Sequence, residues 1–449
     1  MKLEKFKIKS HKKIVMIAFT FMIGIITGYV IFYQSYAFYE ENKNFDVING
    51  TVEDPGDIYF AYYIDGEISR EMPTQNTGYT LDETKSNCNN NVTVTWDNAS
   101  WEAKVNHKNY SATTNTRTKC TLYFNKTSKT VSTVLGNIEV NSYTPDFTKS
   151  ACDDESCESH EKGIYETTDY DGNPTYYYRG SVENNYVKFA GYYWRIIRVN
   201  SNGSVRLIYD GTSAHSNGES STDRQYGSVY FNSAHGNNMY VGYMYTDGDA
   251  HGFSTSSVIK TNVDKFYADK LLSYASKLDT NAGFCGDRST LSLRAGSGTS
   301  DIETYYKGYL RVEESSPTLT CENMNDYYTI SSASSGNKAL TYSISLISID
   351  EVMLAGHAGG IFNGTYNHQK SNKSGFLTTG NRFWTLTPAG GYFIYGAGDW
   401  RAGPFIVWEQ GGIDSWFSNY TYGIRPVINI RSDVTITGSG TMTDPYVVN

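Results

Sequence analysis

Six cysteines carry the chemistry most easily read from this chain: Cys88, Cys120, Cys152, Cys157, Cys285 and Cys321. An even number of thiols in an oxidising compartment points to disulfides. Nearest-neighbour pairing, Cys88–Cys120, Cys152–Cys157 and Cys285–Cys321, is the simplest expectation, because it keeps each bridge inside one structural unit. Zinc at Cys152-x4-Cys157 would need a second Cys or His pair at ligand spacing, and none accompanies it. Asp247 and Asp249 are two carboxylates without the rest of a calcium loop. No metal and no cofactor are expected. His215, His235 and His251 share no helical or ligand spacing and read as exposed loop residues.

The chain contains no Gly-x-Ser-x-Gly, His-Glu-x-x-His or phosphate-loop pattern. Asp350, Glu351 and Glu409 are the acids that could make a glycosidase pair, but scattered carboxylates occur in any chain. No catalytic residue is expected, with a hydrolase as the lesser alternative. Binding chemistry is better represented. Residues 382–429 hold four of the seven tryptophans among glycines and few charges. Aromatic rings stack on sugars and dominate protein hot spots. Trp400, Trp408, Trp416 and Tyr395 are the candidate ligand-binding residues.

Those aromatics need a scaffold of strands and tight turns. Residues 404–409 and 413–417 are expected to pair about Gln410-Gly411-Gly412. Alternation then puts Phe405 and Val407 inward, near Ile428, and Ile406, Trp408 and Gln410 on the opposite face. Asp65-Gly66 and Asn202-Gly203 mark two further hairpins. Residues 186–200 read as strand throughout. Within them Arg195 and Arg198 are expected on a solvent face, or Arg195 as a buried partner of Trp194. Ser256 or Ser257 should cap one amphipathic helix, broken near Ala268. Residues 339–347 read as a strand and 349–355 as a short second helix.

The chain has 449 residues, with 39 tyrosines, 41 glycines and only 19% charged residues, a composition that favours sheets and turns. Residues 1–13 carry six lysines against one glutamate. Residues 14–32 are apolar without a charge, long enough for a bilayer core of about 30 Å. A cleavable signal segment is the alternative, since Ser35-Tyr36-Ala37 offers small residues; the length of the apolar run favours an anchor. The flanking lysines put the N-terminus in the cytoplasm and the rest outside. The whole-chain net charge of −9, and the still more acidic remainder, give no electrostatic basis for binding nucleic acid. The expected organisation is a basic tail (1–13), a transmembrane anchor (14–33), a stalk (34–56), a small all-β, sandwich-like domain (57–125), a linker (126–150) with one short element at residues 131–135, and a main domain (151–449).

Five ordered blocks resemble an uncharacterised family of N-terminally anchored surface proteins of low-GC Gram-positive bacteria. They are YYYRGSVENNYVKFAGYYWRIIRVNSNGSVRLIYDG, AGFCGDRS, LTYSISLISIDEV, FWTLTPAG and YGIRPVINIRSDVTITGSGTMTDPYVV. A looser similarity, through Phe383-Trp384 and Gly423-Ile424-Arg425-Pro426-Val427, is to the C-type-lectin-like fold of formylglycine-generating enzymes. It implies an α+β main domain with antiparallel sheets and about two helices. Cysteine after Cys321 is lacking, so that activity is not implied. Calcium-lectin tripeptides are lacking too. The expected function is a membrane-anchored binding protein, an adhesin or recognition module for an extracellular glycan or protein. A structural envelope protein without a specific ligand is the alternative.

Overall fold

The computed structural model describes residues 58–73, 79–89, 92–97, 100–106, 118–126, 129–136, 138–152, 157–291, 304–359, 361–362, 365–366, 370–394 and 399–449. The expected tail, anchor and stalk (1–56) lie outside these residues. Among the described residues, no helix is long and apolar enough to cross a membrane. The chain divides into two compact units, ending at Thr127 and beginning at Ser128.

In the smaller unit, Thr118–Lys126 is the strand on which the others assemble. It pairs in parallel with Ile58–Ile64 and antiparallel with Tyr79–Leu81 and Asn87–Cys88. Asp65-Gly66 turns Ile58–Ile64 back into Glu67–Ser69, as that dipeptide predicts. A separate hairpin, Thr93–Asp97 with Glu102–Asn106, sets Trp96 edge-on to both Trp101 and Phe124. Tyr62, Leu81, Leu122 and Phe124 form the core. Cys88 and Cys120 face each other across the ladder and are bridged.

The larger unit is mixed, with two main sheets and four α-helices among the described residues of the chain, an α+β arrangement. One sheet has nine strands and centres on Tyr192–Val199 and Val205–Gly211. The other has six and centres on the long hairpin Phe383–Ile394 with Asp399–Val407. Side chains of both sheets contribute to one core cluster, covered by a helix, Val258–Phe266. Ser257 caps that helix, its hydroxyl accepting from the Lys260 N–H. A wide turn at Tyr267–Leu271 then breaks it, where Ala268 suggests a break. The helix Ile349–Leu354 begins with a full capping box between Ser348 and Glu351.

Several expectations are corrected. Residues 186–200 form two strands, Tyr186–Phe189 and Tyr192–Val199, folded about Ala190-Gly191. Residues 339–347 form no strand: they bend at residues 341–343 and make single bridges, Leu340 with Ile330 and Ser345 with Val427. A further helix, Lys307–Glu314, adds to the two that were expected. Part of the expected linker belongs to the larger unit. Lys129–Thr130 pairs with Thr435–Thr437, and the short helix Val131–Leu135 buries Val131 and Leu135. Arg195 and Arg198 are buried, not solvent-facing. Strand Tyr192–Val199 is covered on both faces, so every arginine on it needs buried partners. The remaining bridges are Cys152–Cys157 and Cys285–Cys321.

Candidate functional site

Strand Asp399–Val407 pairs with Ile413–Ser415 through Val407↔Ile413 and Phe405↔Ser415, so the expected hairpin forms. Its face assignment is half right. Phe405 and Val407 are buried, but so is Ile406, because the sheet is covered on both sides here. The strand ends at Val407, and a turn over residues 408–411 follows, with Trp408 and Glu409 both half-buried. The Gly411 N–H donates to the Trp408 carbonyl at 2.9 Å, and Gly411 takes φ 85°, a conformation other residues reach at a cost. Beneath the turn, buried His357 donates from Nδ1 to the Gly411 carbonyl at 2.6 Å; a carbonyl only accepts, which fixes the tautomer. Burial lowers the His357 pKa to about 4.

The structure brings two of the four candidate aromatics together. Trp408 and Trp416 are half-buried, their ring centres 6.2 Å apart, and Trp416 continues to Phe417 and exposed Tyr420. The Trp400 backbone pairs with Phe393 in the long hairpin. Tyr395 lies outside the described residues. Neither Trp408 nor Trp416 stands alone at the surface, since both also pack on the core.

Beside Trp408 opens a cleft of about 600 Å³. Its walls come from five places in the sequence: the turn after Ser221, the edge strand Ser228–Tyr230, residues 380–382, Glu409, and the strand Thr421–Gly423. Arg382 lies over the Trp408 ring, and its Nε donates to Glu409 Oε2 at 2.6 Å while Nη2 donates to Oε1 at 3.3 Å. Burial alone would lower the Arg382 pKa, but the bonds to Glu409 and Tyr422 raise it. The Arg382 carbonyl accepts from the Gly423 N–H and from Gln225 Nε2. Gln225 presses so close that a Cβ on Gly423 would lie 2.0 Å from its Oε1. Gln225, Asn381, Arg382, Glu409, Thr421 and Tyr422 therefore form one polar wall. Sequence reasoning missed all of these as binding residues. The available signal was the Arg382 and Glu409 pair in an otherwise charge-poor stretch.

Two other clusters have the residue types of an active site, and their geometry argues against it. Ser213 Oγ lies 3.3 Å from His215 Nε2, with Glu219 on the other ring nitrogen, the outline of a triad. Asp223 Oδ1 also sits 2.8 Å from Nε2, so each ring nitrogen faces a carboxylate. Burial opposes the charge on His215, but hydrogen bonds to Glu219 and Asp223 prevail and raise its pKa. His215, with Asp223 against Nε2 and Glu219 against Nδ1, has no ring nitrogen open to take the Ser213 proton. It latches the turn at Thr222–Arg224, one wall of the cleft, and is buried where an exposed loop residue was expected. His251 is likewise half-buried against Asp326, and His235 is half-buried.

The second cluster surrounds Glu351. Its Oε1 accepts from Arg198 Nε at 3.0 Å and Arg206 Nη1 at 2.8 Å. Burial would raise its pKa, but the two arginines and the Ser348 N–H hold it at about 2. Arg311 clamps both Asp350 and Asp287. The enclosed space among them is about 20 Å³, room for roughly one water and no substrate. Glu351 is thus a structural partner of buried Arg198 and Arg206, and Asp350 of half-buried Arg311. Arg425, from the Gly423-Ile424-Arg425-Pro426-Val427 block, is also structural: it donates to the Tyr209 and Leu377 carbonyls and to Asp210. No group of three or more metal-ligating side chains converges among the described residues.

Compared with known proteins, the chain matches no family model, no curated protein and no solved structure.

Proposed function

We propose that this chain is a cell-surface recognition module, tethered by its apolar segment 14–32, whose binding site is the cleft beside Trp408. The observation that carries this reading is the cleft itself. It is an open depression, of a size that suits a small ligand, and lined by polar groups that converge from distant parts of the sequence. Three disulfides suit an oxidising, extracellular setting. The lysine cluster on one side of the apolar segment supports an N-terminus in the cytoplasm. The fine fold is proposed to be C-type-lectin-like, within the anchored surface-protein family named above. The order of helices before a final aromatic sheet supports that reading, and Arg425 explains why such a strand would need its arginine. A purely structural role is the second reading, favoured by the packing of Trp408 and Trp416 on the core.

The test is a screen of the full-length chain in detergent against arrays of glycans and extracellular proteins, with protease shaving of intact cells alongside. Recognition expects selective binding and release of the larger unit by protease. Absence of binding to either array would favour the structural reading, and a protected C-terminus would overturn the topology.

A further inference from the structure

Taking the cleft as the binding site, we infer that its occupant is a neutral oligosaccharide, held without a metal ion by the Arg382–Glu409 pair, Gln225, Asn381 and the Tyr422 ring. Charge comes first. Arg382 and Glu409 are the charged residues in the lining, and they neutralise each other through two hydrogen bonds. An acidic ligand would have to separate them and then sit beside the released carboxylate, a like-charge arrangement that works as a barrier. A basic ligand meets the same obstacle from Arg382.

Shape and polarity narrow the class further. No aliphatic side chain lines the cleft among the described residues, so a lipid tail or a hydrophobic peptide anchor finds no apolar pocket. What the lining does offer is the amide oxygens of Gln225 and Asn381, whose nitrogens already donate to backbone carbonyls, with hydroxyls, a carboxylate and a guanidinium beside them, so that donors and acceptors stand side by side. Vicinal hydroxyls need that mixture, because each both donates and accepts. Tyr422, half-buried against Trp384, puts one aromatic ring in the lining, the kind of group that stacks on the apolar face of a pyranose. With a single carboxylate in the wall, calcium has no cage there. A cleft of about 600 Å³ falls within the usual range for small-molecule sites, roughly 300–1,000 Å³.

The inference is tested by titrating the full-length chain, in a detergent without a sugar headgroup, and reading heat and tryptophan emission. The probes are neutral oligomers of glucose, mannose, galactose and N-acetylglucosamine, and acidic oligomers of galacturonate, each with EDTA and at low and raised salt. At least one neutral oligomer should bind, insensitive to EDTA and to salt. Glu409→Gln should weaken it by about ten-fold or more. Thr421→Trp, a substitution at an exposed position in the cleft wall, should block it and serves if Glu409→Gln does not fold. Failure of every neutral oligomer overturns the inference. Binding of galacturonate alone, lost with salt but blocked by Thr421→Trp, overturns the neutral class and leaves the cleft as the site. Binding of a neutral oligomer that both variants leave unchanged overturns the cleft as well.

Discussion

The guanidinium carbon of Arg382 sits 3.2 Å from the centre of the Trp408 ring. Trp408 is thereby a half-buried residue that packs on the core and also carries Arg382 over its ring. Its truncation should cost less than that of a fully buried tryptophan, for which roughly 3–5 kcal/mol is usual. Trp408→Ala is expected to cost about 1–2 kcal/mol, and Trp384→Ala the full amount, by chemical denaturation. Equal losses would mean that Trp408 is simply core.

His357 should govern the acid limb of stability. Its folded pKa of about 4 lies below that of a free imidazole, about 6.5, so the unfolded chain binds the proton more tightly. The neutral imidazole therefore contributes stability that is complete above about pH 6.5 and lost as pH falls toward 4, on the order of 3 kcal/mol. His357→Gln, which keeps a donor for Gly411 but does not titrate, should flatten denaturation midpoints across that window. An unchanged slope would remove His357 from the account.

His215 should behave with the opposite sign. Its folded pKa is raised, so its contribution is present below the unfolded value and fades as pH rises through the folded one. Glu219 and Asp223, both lowered, withdraw their share at the acid end. His215→Asn should therefore destabilise more near about pH 5.5 than near about pH 9. Equal destabilisation at both would show that the ion pairs contribute nothing.

Asp210 accepts from Arg224 and Arg425 and lies 3.8 Å from Arg195. Asp210→Asn leaves buried guanidinium groups without their counter-charge and should cost about 3–5 kcal/mol or prevent folding. A soluble variant with a wild-type melting temperature would contradict this.

Replacing both Cys88 and Cys120 with serine should destabilise the smaller unit by about 2–4 kcal/mol and leave the larger unit's transition in place. Non-reducing peptide mapping checks the three bridges directly.

The legible parts of this fold are those written in local chemistry. Asp65-Gly66 and Asn202-Gly203 announce their turns, Ser257 its helix, and the cysteine order its bridges. Where the reading failed, long-range contacts decided. The Ala190-Gly191 turn needs Ala190 at φ 53°, a conformation alanine does not advertise. Helix Lys307–Glu314 carries Gly308, a helix-weakening residue; a Cβ there would meet Thr387 at 2.8 Å. Arg195 and Arg198 looked like surface charges because their partners lie at a distance in sequence, from Asn185, 10 residues from Arg195, to Glu351, 153 residues from Arg198. The cleft had the same difficulty. Trp408 was visible, but Gln225 and Asn381 reach it only through the folded sheet.

Hydrogen exchange on the full-length chain, with and without its tightest-binding partner from the glycan and protein arrays, tests the central claim most directly. Binding at the cleft predicts slowed exchange at residues 225–228, 380–382 and 421–423, with the smaller unit unchanged. Protection confined to other segments, with those three unaltered, would contradict it.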